Sequence, residues 1–204
     1  MKTFNYLLLL SFLVLTACKK ENTQTKPESI KQDGLWPMNL GNEWHYVQNF
    51  YKLNGSVEST SPDEKIVISD TVTFEGHLFF GYSGIYYSNI DANTVQTIIS
   101  GSGVDNPVSI LFKRVFTNDT VIWHYDDPAC VYNQTNKGFT GITNVNGHAC
   151  LRNEKIIQSC DGIIYGKEVH YLEPGVGEIR FEEYTRNADT IALRVSRELT
   201  SYKL

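Results

Sequence analysis

Three patterns of apolar and polar positions follow one another along this chain. In residues 6–15 the apolar positions run almost unbroken: Leu7, Leu8, Leu9, Leu10, Phe12, Leu13, Val14 and Leu15 are interrupted only by Ser11. A helical membrane span needs about 20 such residues, so this run is too short to cross a bilayer. It matches the apolar core of a signal peptide, and Lys2 supplies the positive start. Residues 19–33 read KKENTQTKPESIKQD, with Ile30 as the one strongly apolar position. Such a segment cannot bury enough surface to offset the entropy of ordering, which predicts a disordered tether. From Leu35 onward the pattern changes to alternation.

Period-2 alternation predicts strands. Ile191, Leu193 and Val195 alternate with Ala192, Arg194 and Ser196; Ile179 and Phe181 alternate with Arg180 and Glu182. Val169 and Tyr171 alternate with His170 and Leu172 more weakly. Val, Ile, Thr, Tyr and Phe, which suit a pleated surface, are abundant. Turn signals punctuate the runs at Asn54-Gly55, Glu75-Gly76, Asn146-Gly147 and Asp161-Gly162. Asn-Gly and Asp-Gly favour tight hairpin turns. One run extends over residues 65–73 and reads as a single strand. Helical periodicity is hard to find. The expected fold is all-β: an antiparallel meander of about ten strands forming a curled sheet or partly open barrel, with a two-layer β-sandwich as the alternative.

The apolar leader ends in Leu15-Thr16-Ala17-Cys18 and switches abruptly to Lys19-Lys20-Glu21. This resembles the recognition pattern at which bacterial lipoproteins are cleaved and lipidated. The resemblance implies a signal peptide over 1–17, lipid on Cys18, a tether over 18–34 and one β-rich domain over 35–204. Several acyl chains on one cysteine make an effectively permanent anchor, since each buried CH₂ contributes about 0.8 kcal/mol. The membrane is thus an expected partner. Position 19 is not Asp, a residue that resembles an inner-membrane retention signal, so the expected location is the outer membrane, with its face left open.

The last stretch, about 170 residues, is long enough for one sizeable core. Ser100-Gly101-Ser102-Gly103 is too short for an interdomain linker and reads as a loop. The formal charge is −5, and removal of Lys2 with the leader makes it −6. No basic stripe is present, which argues against a nucleic-acid partner.

Candidate chemistry is sparse. Cys130, Cys150 and Cys160 follow Cys18. An exported chain permits disulfides, and an odd count leaves at least one thiol over. Cys150 and Cys160 form a candidate pair if their strands are adjacent; Cys130 with either is also open. His124-Tyr125-Asp126-Asp127 is the densest metal-like cluster, because His124 and Asp126 share a face of a strand. It lacks further ligands and reads as a strand ending in an acidic turn. Asp63-Glu64 and Glu182-Glu183 read as solvated surface, as do Glu173 and Glu178 beside the Pro174-Gly175-Val176-Gly177 turn. That turn lacks the third glycine and the following helix of a dinucleotide loop. Trp36, Leu40, Trp44 and Tyr46 read as an aromatic plug, with ligand stacking on Trp36 and Trp44 as the functional alternative. No catalytic motif and no cofactor signature is visible.

Two motifs frame the domain. Trp36-Pro37-Met38-Asn39-Leu40-Gly41-Asn42-Glu43-Trp44-His45-Tyr46 resembles the P-L-x-x-G-N-x-W-x-Y opening of uncharacterised lipoproteins from Bacteroidetes-type bacteria. Tyr171 to Glu182, with its Gly-Val-Gly turn, resembles their late hairpin, and Gly147-His148-Ala149-Cys150-Leu151 lies where they carry a further strand motif. The resemblance implies an antiparallel β fold like the unclosed barrel of periplasmic lipoprotein carriers. It implies no activity. The leading expectation is a membrane-anchored, non-catalytic domain that binds a glycan, lipid or protein ligand or supports envelope assembly. The alternative is a glycan-processing or other hydrolase, which would need two carboxylates about 5–9.5 Å apart. A diffusing lipid carrier is disfavoured by the anchor.

Overall fold

Trp44 and Tyr46 show how the alternation becomes structure. Both sit in the first strand, β1 (Glu43–Tyr51), with side chains fully buried, while Glu43, His45 and Val47, which alternate with them, are half-exposed. The structure is a computed structural model that describes residues 34–82, 85–99, 108–126, 129 and 132–204, all within the unit Lys31–Leu204. The leader, Cys18, the tether, Ser100-Gly101-Ser102-Gly103 and Cys130 lie outside the described residues.

Fourteen strands form two antiparallel sheets among the described residues. Beyond β1, the larger sheet contains β2 (Val57–Val67), β8 (Thr120–Asp126), β9 (Asn133–Gly138), β10 (Thr143–Val145), β11 (His148–Gln158), β12 (Ile164–Glu173), β13 (Gly177–Asn187) and β14 (Thr190–Lys203). Its order is β2-β1-β14-β13-β12-β11-β9-β8, with β10 on β11. The smaller sheet is a meander of β3 (Asp70–Phe74), β4 (His77–Tyr82), β5 (Ile85–Asp91), β6 (Thr94–Ile99) and β7 (Val108–Lys113). The order leaves β2 and β8 as edges, so the larger sheet is no closed barrel. The all-β antiparallel expectation holds, with more strands than expected and with two sheets sharing one core.

The extra strands arise where one apolar run serves two sheets. Residues 65–73 read as a single strand, yet the chain leaves the larger sheet after Val67 and enters the smaller one at Asp70. Ile68 occupies the crossing, with its N–H on the Asn42 carbonyl and its carbonyl taking the Gly41 N–H. Its side chain is buried. Glu75-Gly76 and Asn146-Gly147 both have positive φ at two successive residues, the backbone that a tight type I′ hairpin requires.

Trp36 joins the two layers. Its ring meets Trp44 of the larger sheet edge-on at 6.0 Å, and Tyr87 and Phe112 of the smaller sheet at 5.3 and 5.7 Å. Leu35, Met38, Ile66, Val95, Leu151 and Leu172 complete this core. Two buried amides fasten the seam: Asn136 donates to the Ile110 carbonyl, and the Asn153 amide oxygen accepts the Lys113 N–H. A buried polar group is tolerated when it is hydrogen-bonded, and here it ties one sheet to the backbone of the other.

Bulges upset the alternation in the late strands. The β12–β13 register shifts between Tyr171 and Leu172. Ile179 therefore packs with Cys150 and Tyr171 in a second core cluster, while Phe181 lies against His170 at 5.1 Å. Another shift falls between Glu183 and Tyr184 in the β13–β14 register. In β14, Ile191 is exposed, Leu193 and Val195 are half-buried, and Ser196 is the buried residue.

Candidate functional site

The inward face of the larger sheet carries charge. Register places Asn153, His170, Phe181 and Arg197 in one cross-strand row over β11, β12, β13 and β14. The next row on that face holds Lys155 opposite Glu168. Glu178 reaches this group from the start of β13. His170 Nδ1 is 2.7 Å from Glu178 Oε1, and Arg197 donates to Glu178 Oε2 at 2.5 Å. Lys155 Nζ donates to Glu168 Oε1 at 2.9 Å. His170 Nε2 stands 3.5 Å from Glu168 Oε2, an ion-pair contact, and makes no hydrogen bond. Arg197 lies between the rings of Tyr46 and Phe181, 4.9 and 5.1 Å from their centres. Such cation–π contacts hold the guanidinium flat.

Burial disfavours charge on every member, and the partners overrule it. Burial pushes the Glu178 carboxyl up, but Arg197 and His170 hold it below the usual carboxylate range. Burial pushes Glu168 up as well; His170 and Lys155 bring it down to about 2. His170 is pushed down by burial and raised further by Glu168 and Glu178, so it gains a proton more readily than a free imidazole.

A cavity of about 210 Å³ adjoins these groups. Lys155, Glu168, His170, Glu178 and Arg197 form its charged wall. Ile85, Tyr87, Leu111 and Phe112 of the smaller sheet form its apolar wall, with Trp36 and Thr97. Phe112 also meets the His170 ring edge-on at 4.8 Å.

Sequence reasoning missed the centre of this site. Glu178 was expected to be a solvated strand end and is only 1 % exposed. Glu173 is half-buried and bonded to His148 Nδ1 at 2.7 Å. Glu182, expected on the surface, is 8 % exposed and held by Arg180 at 2.6 Å and the Tyr184 hydroxyl at 2.8 Å. The aromatic plug forms from Trp36, Trp44 and Tyr46, while Leu40 is 60 % exposed. Trp44 has no exposed ring face for a ligand, and its indole N–H donates to the Val176 carbonyl at 2.7 Å. Trp36 is buried too and meets the cavity as part of its lining.

The candidate Cys150–Cys160 pair does not form. Cys150 is a buried free thiol, whereas Cys160 is disulfide-bonded. Burial and the Glu173 charge push the Cys150 thiol up to about 11, which leaves it protonated and a poor nucleophile. His124 and Asp126 do share a face, 3.0 Å apart, with Thr135 on the other ring nitrogen. Among the described residues no three His, Cys, Asp or Glu side chains converge as a metal site.

No family model matches the chain, and no curated protein does. One solved structure, named as a "putative lipoprotein" from Parabacteroides distasonis ATCC 8503, is similar over 83 % of this chain and 98 % of its own, at 12 % identity and a TM-score of 0.35.

Proposed function

We propose that the chain is a lipoprotein of the bacterial cell envelope, anchored through Cys18, whose β domain is a non-catalytic receptor for a small ligand held between its two sheets. The observation that carries the binding function is the cavity with one apolar and one charged wall. Ligand sites combine such apolar lining with a few convergent polar groups. The anchor rests on the Leu15-Thr16-Ala17-Cys18 sequence and its apolar leader. The outer membrane remains the favoured location.

A glycan hydrolase draws less support from the same site. General acid catalysis on a glycosidic oxygen needs a carboxylic acid whose proton survives near neutral pH. Glu168 and Glu178, the two carboxylates of the cavity, are both held ionised by their cationic neighbours.

Two measurements test the proposal. Cys18→Ser should move the protein from the membrane fraction to the soluble fraction, and retention in the membrane would refute the anchor. Small amphiphiles should raise the melting temperature of the protein, and Leu111→Trp, which fills the cavity from its apolar wall, should abolish that shift. An unchanged shift in Leu111→Trp would exclude the cavity as the site.

A further inference from the structure

Resting on the reading of the cavity as a binding site, we infer that its ligand is an uncharged molecule with a short alkyl or small aromatic body, and that the charged wall satisfies itself and recruits no ion. Every charged group of that wall already has its counterpart. One oxygen of Glu178 meets His170 Nδ1 at 2.7 Å, and the other accepts from Arg197 at 2.5 Å. One oxygen of Glu168 accepts from Lys155 at 2.9 Å, and the other stands 3.5 Å from His170 Nε2. That ring nitrogen is buried against the Glu168 carboxylate. Arg197 is held by Glu178, lies between the rings of Tyr46 and Phe181, and has a further interaction besides.

The buried charges also cancel. Both ring nitrogens of His170 face carboxylate oxygens. A neutral ring would aim a lone pair at one of them, so the geometry selects the imidazolium. Arg197 and protonated His170 then balance Glu178 and Glu168. Lys155 stands at the rim, 23 % exposed, where its ammonium stays in contact with water. An ionised head entering the cavity would give up its hydration and find each buried counter-charge already paired. Burying a charge without a partner of its own is unfavourable. An uncharged head avoids that penalty.

Size and lining describe the rest of the ligand. Ile85, Leu111 and Phe112 of the opposite wall offer carbon surface, and apolar contact with it drives entry. The cavity holds about 210 Å³, below the ~300–1,000 Å³ of pockets for drug-sized ligands. That is the liquid volume of roughly seven waters at about 30 Å³ each, which suits a molecule the size of hexan-1-ol.

The test is titration calorimetry at neutral pH on the mature chain carrying Cys18→Ser, without detergent, with hexan-1-ol, hexanoate and hexylamine as probes. The alcohol should bind about tenfold or more tightly than either ion. Glu168→Gln removes the carboxylate that Lys155 and His170 face, so it should strengthen hexanoate binding about tenfold through a new charge-assisted contact. If that variant does not fold, the three probes on the unsubstituted cavity decide alone. Either ion binding there as tightly as the alcohol, with both abolished by Leu111→Trp, would overturn the uncharged ligand and leave the cavity as a receptor. Hexanoate gaining nothing in a folded Glu168→Gln variant would overturn it too. Absence of binding by all three probes, or alcohol binding that survives Leu111→Trp, would overturn the receptor reading itself.

Discussion

His170 and Glu178 are eight residues apart, on the two strands joined by the Pro174–Gly177 turn, and their side chains meet at 2.7 Å in the buried layer between the sheets. Glu178 is also the partner of Arg197, so it neutralises two cations at once. Glu178→Gln would leave both with a neutral partner in a site shielded from water. Removing one member of a buried ion pair costs about 3–5 kcal/mol. A loss in that range, read from urea unfolding, is expected; a loss no larger than that of an exposed control such as Glu58→Gln would refute the linking role.

The same cluster sets the pH response. The folded state raises His170 above its ordinary 6.5, so its contribution is complete below that pH and is lost as pH rises through the folded value. Glu168 is lowered from 4.5 to about 2, so its contribution is complete above 4.5 and is lost as pH falls toward 2. Stability should peak between these limits. Urea midpoints across the pH range should show both falling limbs, and His170→Gln should flatten the alkaline one. An unchanged alkaline limb in that variant would assign it to another group.

Gly177 and Gly175 should respond differently to alanine. Both have positive φ, at 109° and 82°. A Cβ on Gly175 meets nothing within 4 Å, whereas one on Gly177 would lie 2.7 Å from Trp36 Nε1 and 3.3 Å from Trp44 Nε1. Gly175→Ala should cost about 1 kcal/mol, the backbone strain alone. Gly177→Ala should cost clearly more, because the tryptophan plug must shift. Equal losses in thermal unfolding would show that the plug yields freely.

Cysteine chemistry gives a direct check on the core. Native protein exposed to iodoacetamide should keep Cys150 unmodified, since the thiol is buried and protonated. Denaturation without reductant should expose Cys150 to alkylation while Cys160 stays protected. A peptide linking Cys150 to Cys160 would contradict the arrangement described.

Much of the frame was legible in the chain. Turn pairs such as Asn146-Gly147 and the alternation around Trp44 and Tyr46 mark hairpins and a buried face by local rules. Glu178 was not legible, because its environment is assembled from distant residues. A glutamate beside a Gly-rich turn is solvated by default, and its partners His170 and Arg197 lie on separate strands. A bulge also places Gly177, Glu178 and Ile179 in three successive buried positions, which hides the face of Glu178 from a period-2 reading. The one local hint was Arg197, a charge that interrupts the apolar alternation of β14. The division of residues 65–73 between two sheets was likewise invisible, since continuous strand propensity carries no mark of where a chain changes layers.

The position of Trp36 has a mechanical consequence. Leu35 and Trp36 lie at the start of the described chain and are buried, with the Trp36 carbonyl accepting a hydrogen bond from Asn89 at 2.8 Å. A pull applied from the N-terminal side therefore loads the joint between the two layers before it loads any edge strand. Extraction of one indole from among Trp44, Tyr87 and Phe112 would have to precede peeling of β1. For a domain held by its N-terminus, drag on the body would be borne by a ring clamped on several sides, a stiffer attachment than a strand that can unzip one hydrogen bond at a time.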